Sequence, residues 1–104
     1  MRVKCRKIES PRILFQELKE IGSWEHLCHN LGVSMTTVSS LTDGHKSNTD
    51  KKYSCLEAFY NEDTEPGVQV CWETVVRAVG TYPISNQRLA REIAMKYDIA
   101  MDNA

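Results

Sequence analysis

Six apolar residues, Val68, Cys71, Trp72, Val75, Val76 and Val79, fall at i, i+3, i+4, i+7, i+8 and i+11, and no other segment limits the fold as tightly. A strand would alternate at every second residue. Here Glu73, Thr74, Arg77 and Ala78 fill the opposite side of a helical wheel, so the segment reads as a helix despite its valines. In a chain of 104 residues such a helix must bury its stripe inside one compact domain, because the length does not support two cores. The 41% apolar and 26% charged content belongs to a packed domain rather than a disordered one.

Helical punctuation runs along the rest. Ser10 precedes Pro11, a proline suited to a first helical turn, and Ile13, Leu14, Leu18 and Ile21 follow at helical spacing up to Gly22. Ser23 opens a second helix with Trp24, Leu27, Cys28 and Leu31 inward, and Gly32 ends it. Ser34 starts a third, polar helix anchored by Met35, Val38 and Leu41, before Asp43 and Gly44. Asn48 or Thr49 caps a fourth, with Tyr53, Leu56, Phe59 and Tyr60 on one stripe, and an acidic loop closes at Pro66 and Gly67. After a turn from Gly80 to Pro83, Ser85 caps a last helix carrying Leu89, Ala90, Ile93, Ala94 and Tyr97. The expectation is an all-α, six-helix antiparallel bundle over residues 10–100, with a basic leader at 1–9 and a tail at 101–104. Its core would hold Leu14, Leu18, Trp24, Leu27, Leu31, Val38, Leu56, Phe59, Trp72, Val75, Val76, Leu89 and Ile93.

The net charge of -1 hides a gradient. The first twelve residues carry five basic side chains against Glu9, a net of +4, leaving eight basic against thirteen acidic residues, a net of -5, for the remainder. Cys5, Cys28, Cys55 and Cys71 form no CxxC motif and no spacing typical of a secreted framework, so they read as reduced thiols, three of them buried. With no long apolar run and no signal-peptide pattern, the expected location is the cytosol.

Catalytic patterns are missing from this sequence. His26, Cys28 and His29 share one helical turn, but two imidazoles do not make a four-ligand metal site, and Cys28 lies on the apolar stripe. No GxSxG motif or glycine-rich phosphate loop is present. No enzyme, metal, cofactor or small-molecule substrate is expected. Residues 24–41 do have helix-turn-helix spacing: Cys28 at a helix contact, Gly32 at the turn, Val33 beneath it, and Ser34 capping a recognition helix. Electrostatics opposes a DNA reader. From Ile13 to His45 the single Lys19 faces Glu17, Glu20, Glu25 and Asp43, and the third helix offers Met35, Thr36, Thr37, Ser39 and Ser40 to base edges.

A larger pattern covers the chain from about Pro11 to Ile99. Trp24 opening the second helix, the Leu27 to Val33 run, Cys71-Trp72 with Val75, Val76 and Val79, then Leu89-Ala90 and Ile93-Ala94, resemble the death domain in their order. The Ser- and Thr-rich third helix and the long loop after it depart from that pattern. The resemblance implies a death-domain-like fold and a non-catalytic adaptor, assembling signalling complexes of the apoptotic or innate-immune type. Its partners would be other death domains, including copies of itself in oligomers or filaments; no membrane partner is expected, nucleic acid is disfavoured, and a helix-turn-helix DNA-binding domain over residues 24–41 is the alternative reading. Charge complementarity would select the contacts, with Glu57, Glu62, Asp63 and Glu65 as the acidic face and Arg88, Arg91 and Lys96 as the basic one.

Overall fold

Ser10 is extended and its hydroxyl accepts from Ile13 N at 3.3 Å, so the chain enters α1 (Pro11–Glu17) at the expected proline. The computed structural model describes residues 6–99, and the expected tail and the first five leader residues lie outside them. There follow α2 (Trp24–Leu31), α3 (Met35–Thr42), α4 (Asn48–Tyr60), α5 (Trp72–Gly80) and α6 (Gln87–Lys96). Among the described residues there is no sheet, and one isolated bridge pairs Val33, between α2 and α3, with Thr64, in the loop after α4. Helix α2 packs on α3, α4 and α5; α4 also meets α1 and α3, and α6 lies on α5. Trp24, Leu27, Leu31, Phe59, Trp72, Val76, Leu89 and Ile93 are all buried in one core with Leu14, Leu18, Leu56 and Val75, whereas Val38 is only half-buried against it.

Several boundaries differ from the sequence reading, each for a local reason. Ser47, one residue earlier than Asn48, caps α4 by accepting from Asp50 N at 3.2 Å; this leaves Asp50 in the first turn, where the helix dipole favours a carboxylate. Asn86 rather than Ser85 caps α6, its Oδ1 accepting from Leu89 N at 3.1 Å, while Ser85 turns through a φ of 47°. Helix α5 begins only at Trp72, with Cys71 as its cap. Val68 precedes the helix because it packs over Gly32, where a Cβ would come within 2.7 Å of Val68 Cγ2 and where φ is +86°. Ala78, grouped by the wheel with the polar side, is buried; Met35, read as an anchor, is 59% exposed.

Two findings overturn readings of the core. Cys28 on α2 and Cys55 on α4 form a disulfide across the direct contact of those helices, with Cα atoms 6.0 Å apart. Cys71 is disulfide-bonded as well. The internal cysteines are thus cross-links rather than reduced thiols, because helix packing joins positions that spacing alone keeps apart. On α4 the inward stripe is Lys52, Cys55, Leu56 and Phe59, with Tyr53 and Tyr60 only half-buried. Lys52 is 7% exposed, and its ammonium donates to the carbonyls of Leu18 at 2.5 Å, Ile21 at 2.6 Å and Lys19 at 3.3 Å. The three donors of one ammonium thereby fasten the turn that follows α1, where Leu18 O also accepts from Ile21 N at 3.1 Å. Burial lowers the pKa of Lys52 from 10.5.

The expected leader is, from Arg6 onward, part of the fold. Ile8 is buried, Arg6 O accepts from Trp72 N at 2.9 Å, and Arg6 N donates to Glu73 Oε1 at 2.8 Å.

Candidate interaction surface

The acidic residues proposed as one face divide into two pairs. The loop after α4 runs back along the α2–α3 turn, held by Ser34 N to Asp63 O at 3.1 Å and Glu65 N to Gly32 O at 2.8 Å. Asp63 then accepts from the Ser34 hydroxyl at 3.0 Å and from the Thr37 hydroxyl, and Glu65 Oε2 accepts from Met35 N at 3.2 Å. Both carboxylates therefore cover the first turn of α3 and complement its dipole. Glu57 and Glu62 are exposed at the other side of this corner, at and just beyond the last turn of α4. Neither has an ion-pair partner among the described residues.

The basic residues divide in the same way. Arg88 bridges Glu20 and, at 2.8 Å, Glu92, while Asn86 Nδ2 donates to Glu20 at 2.9 Å. The hydrogen bond from Arg88, then that from Asn86, holds the Glu20 carboxyl below its usual pKa, while the hydrogen bond to Glu20, then that to Glu92, raises that of Arg88. Lys96 pairs with Glu17, which also accepts from the Tyr97 hydroxyl at 3.0 Å. Tyr97 stacks on Trp72 with ring centroids 4.1 Å apart, and its pKa is pushed up to about 12, first by burial and then by Glu17. Arg88, Lys96 and Tyr97 thus fasten α6 to the α1 segment. Arg91 alone of the three basic candidates is exposed without an ion-pair partner among the described residues.

Sequence reasoning missed a groove between α1 and the first turns of α4, about 560 Å³ in volume. Phe15 and Tyr53 meet edge to face there, with centroids 5.5 Å apart, both half-buried, and Arg12, Lys19 and Asp50 stand at its rim. The Lys52 ammonium lies 5.6 Å from the Phe15 ring, so the buried cation supports this aromatic pair from within. The signal in the sequence for the buried cation was the spacing of Lys52 from Cys55 and Leu56, at i+3 and i+4. A second cleft of about 460 Å³, beside Trp72 and Tyr97, is lined by Arg6, Lys7, Glu9 and Asp98, with Arg6 and Asp98 paired at 3.5 Å.

His26 and His29 are exposed on α2. Among the described residues no group of three or more His, Cys, Asp or Glu is placed to hold a metal ion, and no helix is long and apolar enough to cross a membrane. No family model, no curated protein and no solved structure matches the chain.

Proposed function

We propose that the chain is a non-catalytic protein-interaction module of the death-domain type, which assembles signalling complexes by pairing its helix faces with those of like modules. The observation that carries this reading is the uneven engagement of charge. Asp63, Glu65, Arg88 and Lys96 are bonded within the chain, whereas Glu57 and Glu62, at and just beyond the end of α4, and Arg91, on α6, face solvent. Exposed charges of both signs, held on rigid helices, are what electrostatically selected contacts require. The rigid core of six helices supports the same reading, since it presents those faces in fixed relation.

The helix-turn-helix alternative draws support from Gly32 in the left-handed region and from Ser34 capping α3. It is disfavoured by Asp63 and Glu65, which place two carboxylates at the helix end that would approach phosphates. The cytosolic location inferred from the sequence is at odds with the Cys28–Cys55 bond, which favours an oxidising compartment. Thiol labelling with mass spectrometry of protein isolated under acid quench decides that point.

Light scattering over a concentration and salt series, run beside a duplex-DNA titration, tests the function. Salt-sensitive self-association or capture of a like module, without saturable sequence-dependent DNA binding, is the expected result. Sub-micromolar, sequence-dependent duplex binding lost on changing Thr36 or Thr37 would transfer the function to nucleic acid.

A further inference from the structure

We infer that the groove between α1 and α4 receives the acidic end of α4 from a second copy of this chain, so that copies add head to tail. This rests on the reading of the chain as a self-associating module and names the two surfaces that meet. An acidic corner needs unengaged cations opposite it. On α6, Arg88 and Lys96 are held by Glu20, Glu92 and Glu17, leaving only Arg91. Arg12 and Lys19 are both exposed, have no ion-pair partner among the described residues, and flank an aromatic floor offering apolar contact as well as charge. Asp50 is the one carboxylate at that rim.

The occupant follows from charge and placement. From Glu57 to Glu65 the chain holds four carboxylates and no cation. Glu57 and Glu62 lie by the C-terminal end of α4, the negative end of its dipole. Both surfaces belong to the same 13-residue helix, at ends separated by roughly 20 Å. One molecule cannot bring its own corner into its own groove, but a neighbour can. Two different patches meeting in this way form a heterologous contact, which propagates unless its rotation closes a ring.

The test uses paired charge reversals in the full chain: Arg12→Glu with Lys19→Glu, and Glu57→Lys with Glu62→Lys. All four side chains are exposed, so melting temperatures and circular dichroism are expected to match the parent. Sedimentation velocity at low salt should show self-association weakened about tenfold or more in either variant alone. Mixing the two restores it, because each reversed groove then finds a reversed corner and each native groove a native corner. Arg91→Glu leaves assembly unchanged. If the parent associates but neither reversal alters it, or the mixture stays dissociated, the groove is the wrong surface and the self-association reading survives. A parent that stays monomeric to millimolar concentration overturns both.

Discussion

Helices α5 and α4 both pack on α2, yet they bury unlike stripes. Helix α5 turns inward Trp72, Val75, Val76, Ala78 and Val79, which are apolar throughout. Helix α4 turns inward Lys52, Cys55, Leu56 and Phe59. The first stripe is stabilised by removal from water alone, and any apolar neighbour of suitable shape would serve. The second is stable only because particular partners stand opposite it: the Leu18 and Ile21 carbonyls for Lys52, and Cys28 for Cys55. A non-directional stripe is legible in one helix, whereas a directional one is legible only in the pair.

Four measurements press on this difference. Trp72→Ala removes the largest fully buried side chain and its stack on Tyr97, and is expected to cost roughly 3 to 5 kcal/mol in chemical denaturation. A near-parental midpoint would show that α5 does not hold the core. Replacing Cys28 and Cys55 together by Ala opens the covalent link between α2 and α4, with an expected loss of about 2 to 4 kcal/mol. Equal stability with and without reductant in the parent would remove the link from the account of α4.

Lys52→Met keeps the aliphatic stem but removes the donor to the Leu18 and Ile21 carbonyls in the turn after α1; a loss of about 1 to 3 kcal/mol is expected, partly offset by relief of charge burial. In the native parent Lys52 should resist amine acylation that labels the exposed lysines, and early labelling would place it outside the core. Its lowered pKa has a definite sign. Just below 10.5 the unfolded chain binds the proton that the folded chain releases, so this group makes stability rise with pH in that window, a slope Lys52→Met lacks.

The smallest effect belongs to Tyr97→Phe, expected to cost about 1 kcal/mol or less by loss of the bond to Glu17. The raised folded pKa, about 12 against an ordinary 10.0, means that the contribution is present below 10, and is lost as pH rises toward 12. Subtracting the variant's ultraviolet titration from the parent's should leave a phenolate step near 12, and a step near 10 would show that Tyr97 is neither buried against Trp72 nor bonded to Glu17. The Arg88→Glu reversal is unsuitable as a probe of assembly. It would set a third carboxylate between Glu20 and Glu92, changing stability along with any interface.

The sequence by itself determined the six helices, the inward faces of α2 and α6, that of α5 apart from Ala78, and the caps at Ser10 and Ser34. These depend on side chains within a few residues of one another, and helical periodicity encodes them directly. Only the tertiary structure decided which charges remain available, since Glu17 and Glu20 reach Lys96 and Arg88 across more than sixty intervening residues. It also decided that Lys52 lies inside and that Cys28 and Cys55 are bonded, and it formed the groove at Phe15 and Tyr53. Hydrogen bonds, ion pairs and disulfides require a partner at a set distance and direction, and that partner is supplied by the packing of whole helices rather than by the residue's own neighbourhood.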